Sequence, residues 1–262
     1  MADLILSGSS LAKYRECRLR WWFTYVAQEP GGTSWERVIG QSVHSAIEGS
    51  LRRIMQLRPF HTPAAENIVA ESDADLDAAF GRESAVTIAH GRLGATESRA
   101  MAHRALAAYW RAFPPSAVPW LVEEPFEVEI DGIPYSGTID RVDRDETVRL
   151  RDTKTTGSRP PGGRYDLTMT GYWLGLSGKH AVRADEVVLD WIVQTKTPYV
   201  WNEWIEIDDA AIERFVFALR YAAESIAEGH FEPTGLDHPW ACRTCEYRDI
   251  CGPYQRVNGG MA

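Results

Sequence analysis

No long hydrophobic run is present. The most apolar stretches, such as Val187-Val188-Leu189 and Trp191-Ile192-Val193, fall far short of the roughly 20 residues that span a bilayer, so no membrane helix is expected. A secretory leader is not expected either: Met1-Ala2-Asp3-Leu4-Ile5-Leu6 places an acid where a signal peptide is basic, and its apolar part is short. A cytoplasmic protein is expected. Basic residues are in deficit, 28 Lys and Arg against 37 Asp and Glu, for a net charge of −9. That argues against a surface that grips nucleic acid everywhere by counterion release, though not against a local basic groove. Internal repeats and low-complexity tracts are absent. So is a phosphate-binding loop, because Gly175-Leu176-Ser177-Gly178-Lys179-His180 lacks the first glycine at the required spacing and the Ser or Thr after the lysine. Cysteine is scarce: there are four, three of them within ten residues of one another. In a reducing cytoplasm this points to metal ligation before disulfides.

What is there suffices for a sizeable core in one large domain, or one with an appended lobe: 262 residues, 44% hydrophobic, with ten Trp. Ser9 and Ser10 can cap a helix running to about Ala27, in which Tyr14, Cys17, Trp21 and Tyr25 recur on one face. Gly31-Gly32 interrupts, and a second helix is expected from Trp35 to Leu57 with Gly40, His44 and Glu48 on one side. Asp73 to Phe113 reads as Ala-rich helices ended by Pro114-Pro115. The pattern then turns to strand-like alternation over Leu121–Ile130, Pro134–Val142 and Thr147–Thr153, with Asp131-Gly132 and Asp143-Arg144-Asp145-Glu146 as turns. After a Gly- and Pro-rich loop at Gly157–Gly163 come a helix at Tyr165–Ser177, strands at Glu186–Thr195 and Val200–Ile207, and a helix at Asp208–Glu228. From His230 onward, Pro, Gly and Cys leave little regular structure.

Chemistry concentrates in Gly137-Thr138-Ile139-Asp140-Arg141 and Asp152-Thr153-Lys154-Thr155. Alternate residues of a strand share a face, so Asp152 and Lys154 point the same way beside a neighbouring strand that can present Asp140. Two carboxylates and an ammonium at one sheet edge suit phosphodiester hydrolysis. Carboxylate oxygens hold Mg²⁺ or Mn²⁺, the metal polarises the phosphate and acidifies a water, and the lysine orients that water or helps deprotonate it. The competing reading is a solvated strand pair, since D-x-K is short and recurs by chance.

The order G-x-x-x-H at Gly40–His44, then G-x-I-D-R, then D-x-K-T resembles the RecB-type nucleases of the PD-(D/E)XK superfamily. The resemblance implies a restriction-endonuclease-like α/β core, a central mixed sheet flanked by helices, within a single nuclease domain over 1–262. A helical insertion is expected over 58–115. It also implies that His44, Asp140, Asp152 and the Thr153 carbonyl ligate the metal and that Lys154 is the catalytic lysine. The family's Gln-x-x-x-Tyr motif is similar to Thr168–Tyr172; Tyr172 matches as a catalytic-site residue, but Thr168 stands where the family has Gln, and its shorter side chain reaches less far.

Cys242-x2-Cys245-x5-Cys251 lets three thiolates converge on one centre, and Cys17, 225 residues before Cys242, is the one cysteine left to complete it. Zinc and an iron-sulfur cluster are both compatible with four thiolates. One cysteine before the nuclease motifs and three after them is similar to the Cas-four family of CRISPR-associated nucleases and to AddB-type nuclease domains, which implies a structural four-iron, four-sulfur cluster in a C-terminal segment over 230–256. The Cas-four likeness implies exonucleolytic action on single-stranded DNA ends, with a separate helicase or CRISPR adaptation proteins as partners. The rivals are a non-catalytic DNA-end-binding or assembly protein and a zinc-stabilised regulatory protein. For DNA contact the candidates are Arg141 and Arg151 near the metal site, and Arg159 and Arg164 in the loop after Lys154. Lys13, Arg15, Arg18 and Arg20, interleaved with Tyr14, Trp21 and Trp22, suit either a stacking lip for DNA or a helix whose aromatics are core.

Overall fold

The computed structural model describes residues 5–57, 65–85, 88–90, 93–113, 117, 119–163, 165–237, 241–242 and 245–258. Its centre is a mixed six-stranded sheet built from β1 (Leu6–Ser7), β4 (Pro119–Ile130), β5 (Ile133–Arg144), β6 (Val148–Thr156), β7 (Glu186–Val193) and β8 (Tyr199–Trp204). Two short strands, β2 (Thr33–Ser34) and β3 (Ile88–His90), pair separately. β4 and β5 form an antiparallel hairpin closed by Asp131-Gly132, both at positive φ (54° and 75°). Asp-Gly is the pair that tolerates this turn, whose twist matches the strands it joins. β6 and β7 run parallel, and the crossover between them is helix α6 (Asp166–His180).

β7 reads Glu-Val-Val-Leu-Asp-Trp-Ile-Val and is buried from Val187 onward, as a strand covered on both faces must be. One face carries a core of Leu189, Trp191, Met169 and Leu176, joined by Leu11 and Tyr14 of α1 (Gly8–Glu16), Trp21 of α2 (Arg18–Tyr25), and Phe215 and Leu219 of α7 (Asp209–Ala227). On the other face Ile192, with Val122 of β4, joins a second core supplied by α3 (Trp35–Leu57), α4 (Ala65–Glu83) and α5 (Ala95–Ala112), including Val43, Leu76, Leu106 and Trp110. The expected α/β architecture is observed: a mixed sheet between two helical layers.

The first helix departs from expectation. Its cap is Ser7, two residues before Ser9, with Ser7 Oγ accepting the Ser10 N–H at 3.2 Å, and it stops at Cys17, whose backbone is extended (φ −161°, ψ 116°). A new helix starts at Arg18. Apolar periodicity cannot reveal this break, because its cause lies more than two hundred residues away. The Arg18 N–H bonds Thr234 Oγ1 and the Leu19 N–H bonds the Glu232 carbonyl, each at 3.2 Å, which satisfies amides that a helix start leaves open.

Candidate active site

β5 changes partner along its length. Tyr135 and Ser136 pair with β1, whereas Arg141 to Arg144 pair with β6, and the β6 ladder ends at Arg141 opposite Arg151. Asp140 and Asp152 follow immediately, where the strands part. In place of the next ladder bond, the Thr153 N–H donates to Asp140 Oδ2 at 2.9 Å. That same oxygen lies 2.9 Å from His44 Nε2. Asp152, with its side chain 1% exposed, holds Lys154 Nζ at 2.6 and 2.8 Å on its two oxygens. Thr153 and Lys154 line a cleft with Arg37, Gln41, His44 and Glu48 of α3.

His44 reaches the fork because α3 lies close on β6. A Cβ built at Gly40 would fall 2.8 Å from Thr155 Oγ1, so any larger residue one turn before His44 would push the helix away. This is the physical content of G-x-x-x-H. Tyr172 lies within reach of the Asp152 and Lys154 charges, its ring edge-on to Phe126 at 6.0 Å. Gly137 makes room for it: a Cβ there would lie 3.1 Å from Tyr172 Cε1. Thr168 packs its methyl toward Gly8, where a Cβ would approach it to 3.1 Å.

One residue of the site escaped the sequence reading. Glu123 Oε1 lies 3.4 Å from His44 Nε2, and one ligand atom each from His44, Glu123 and Asp140 falls within 4.8 Å of the others. Glu123 sits inside β4 at φ 49°, a left-handed conformation in mid-strand. Its neighbour Glu124 instead faces Lys179 and His180 of α6. Alternation along a regular strand cannot say which of two adjacent glutamates turns to the site, since the irregular residue breaks the alternation.

The electrostatics are those of a cation site. Burial, reinforced by Asp140, pushes the Asp152 carboxyl up to about 6 against the pull of Lys154. For Asp140 burial acts in the same direction, but the His44 bond and the Lys154 charge outweigh it and hold its carboxyl below the ordinary value. Burial raises Glu123 to about 7, with His44 opposing and Asp140 adding. The His44 imidazole would be lowered by burial, yet the bond and charge of Asp140, with Glu123, carry it to about 9. Lys154, which burial alone would lower, is driven above its ordinary value by the two aspartates. One buried and two half-buried carboxylates are thus crowded around one imidazole and one ammonium, a donor set of hard oxygens and a nitrogen that fits Mg²⁺ or Mn²⁺.

Of the four arginines expected to meet DNA, two are placed otherwise. Arg141 and Arg151 are spent on a buried network: Arg141 Nε meets Asp143 at 3.1 Å, Arg151 Nε meets Asp143 at 3.1 Å, and Arg151 Nη1 meets Asp190 at 2.8 Å. Tyr109 of α5 accepts from Arg141 Nη1, and Asn202 of β8 donates to Asp190 at 2.6 Å. Both guanidiniums are held by carboxylates in this network, and strand alternation turns Arg151 away from Asp152. Arg159 is exposed and its guanidinium stacks on Trp201, 3.8 Å from the ring centroid. Arg164 lies outside the described residues. In the first two helices Tyr14 and Trp21 are core, while Lys13 and Arg20 pair with Glu246 and Arg18 with Glu232. They bind the C-terminal segment to the helices.

The four cysteines, none of them in a disulfide, line one apolar pocket with Leu19, Phe23 and Leu236. A Cβ at Gly235 would lie 3.2 Å from Cys17 Sγ and 3.7 Å from Cys242 Sγ, so glycine keeps this pocket open. Burial, with Cys17 and Cys251 adding, raises the Cys242 thiol. Chiefly through burial, the Cys245 thiol is pushed up to about 11.

Against known proteins, residues 5–252 match the sequence profile of the PD-(D/E)XK nuclease superfamily, nearly the whole chain. The chain belongs to this superfamily. No curated protein matches it. Among solved structures, a candidate exonuclease from Eubacterium rectale superposes with a TM-score of 0.59 at 11% identity, covering 87% of this chain and 83% of the other, and shares the fold. A second structure, SSO0001, gives 14% identity over 94% and 96% of the two chains with a TM-score of 0.37, too low to bear on the fold. Among the described residues no helix is long and apolar enough to cross a membrane.

Proposed function

We propose that the protein is a Mg²⁺- or Mn²⁺-dependent deoxyribonuclease that degrades single-stranded DNA from its ends, with a structural four-iron, four-sulfur cluster on Cys17, Cys242, Cys245 and Cys251. The carrying observation is Asp140, one carboxylate shared by His44 and the Thr153 N–H at the strand fork, beside the Asp152–Lys154 pair. His44, Asp140, Asp152 and the Thr153 carbonyl are the ligand set, and the position of Glu123 supports adding it. A bound divalent ion supplies Lewis acidity toward the phosphate and a water of lowered pKa. Lys154, held as an ammonium between two carboxylates, serves as hydrogen-bond donor to that water and to the phosphate oxygen where charge develops. Tyr172 walls the site and Arg159 lies where DNA enters. The helices over 58–115 form an inserted lobe, and cytoplasmic action beside a separate helicase or CRISPR adaptation proteins completes the reading.

Four thiolates suit a tetrahedral zinc or an iron-sulfur cluster. The order of the cysteines, one before the nuclease motifs and three after them, favours the cluster.

End-labelled single- and double-stranded DNA incubated with wild type and Lys154→Ala, with and without Mn²⁺, tests the activity. Metal-dependent shortening by wild type alone is expected. Equal cleavage by both proteins would mark a contaminant, and no cleavage by either would favour a DNA-end-binding protein in which Thr168 accompanies lost hydrolysis.

A further inference from the structure

Phe217 of α7 is 71% exposed and Tyr221, one turn on, 49%. Two large rings exposed side by side offer a stacking surface. The two rings stack nearly parallel, centroids 6.3 Å apart at 11°. Arg18 extends the stack: its guanidinium carbon lies 5.5 Å from the Tyr221 ring and Arg18 Nη2 donates to the Tyr221 hydroxyl at 2.6 Å. A guanidinium and two rings thus form a ladder whose outer end, Phe217, is open.

The ladder flanks a broad groove also lined by Arg15, Arg214, Gly163, Asp166 and Leu167. Three arginines face two acids there, Asp166 and Glu213, in a chain whose net charge is −9. Arg18 is further paired with Glu232 and the Arg214 charge also acts on Asp166, so exposed Arg15, with Arg214, supplies the charge that would meet an anion. One side chain links the groove's wall to the nuclease site. Tyr165, between wall residues Gly163 and Asp166, sets its ring 5.8 Å from Lys154 Nζ.

We infer that this groove binds single-stranded DNA, bases stacked on Phe217 and Tyr221 and backbone along Arg15 and Arg214, leading the strand toward Lys154. Every base has a π face to stack, whereas in a duplex those faces are already occupied, so the groove selects unpaired strands. The direction of the strand rests on the nuclease reading; binding does not.

The test is fluorescence anisotropy with labelled oligothymidine of roughly 20 nucleotides in EDTA, comparing wild type with Phe217→Ala/Tyr221→Ala. Loss of both stacking contacts weakens binding about tenfold or more. Blunt duplex affinity, melting temperature and hydrolysis of bis(p-nitrophenyl) phosphate in Mn²⁺ stay at wild-type levels. Equal oligothymidine affinity in the two proteins, no binding by wild type, or an equal loss on duplex overturns the proposal. So does a wild-type dimer that the variant dissociates without change in DNA affinity, which would assign the rings to a second copy of the chain. If neither protein hydrolyses the small diester while the oligothymidine difference persists, the groove stands and the nuclease reading falls.

Discussion

Glu123 pairs a strained backbone with a half-buried carboxyl. A non-glycine residue at φ 49° inside a strand costs on the order of 1–2 kcal/mol, and burial of the carboxylate adds to it. Both costs place an oxygen beside His44 and Asp140. Glu123→Gly removes strain and desolvation together, so the variant is expected to be more stable than wild type by about 1–2 kcal/mol in urea unfolding of the metal-free protein. It should also bind Mn²⁺ more weakly in calorimetric titration. A variant that is less stable, or that binds Mn²⁺ as tightly, would remove Glu123 from the metal site. Asp140, Asp152 and Lys154 were legible in the sequence because D-x-K fixes two of them on one strand face. Glu123 was not, because a single left-handed residue decides which glutamate of Glu123-Glu124 points inward.

At the scale of elements, Arg141 and Arg151 tie β5 and β6 to β7, β8 and α5 through Asp143, Asp190, Asn202 and Tyr109. The network brings two guanidiniums against two carboxylates, each residue at most 11% exposed at the side chain. Removing one cation leaves carboxylates buried and underpaired. Arg141→Ala should therefore lose about 3–5 kcal/mol of stability in denaturant unfolding. In the fraction that stays folded, DNA affinity should be unchanged; a DNA defect without a stability defect would restore the arginine to the interface. The strands, the Asp131-Gly132 turn and α3 were readable from alternation, turn chemistry and helical period. The break at Cys17 was not, since the amides of Arg18 and Leu19 are satisfied by Glu232 and Thr234, far away in sequence.

Over the whole molecule, the chain closes on itself. The first two helices meet the C-terminal segment through four cysteines, the Glu246 pairs with Lys13 and Arg20, and Arg18 with Glu232. A cluster across that junction would fasten a loop almost as long as the chain and restrict the unfolded state. Cys17→Ser is expected to lose the brown colour and bound iron and to melt at lower temperature than wild type, with the nuclease fork itself intact. A colourless wild type with stoichiometric zinc would overturn the iron assignment. Composition, the ordered motifs and their spacing pointed by themselves to the superfamily, the α/β class and the candidate aspartates, lysine and cysteines, because each depends on local pattern or on residue types that few chemistries need together. Tertiary structure alone decided that Arg141 and Arg151 are internal, that Glu123 joins His44, and that Phe217 and Tyr221 stand open beside a groove. Those facts depend on which distant elements pack together, and a linear pattern carries no distance between them.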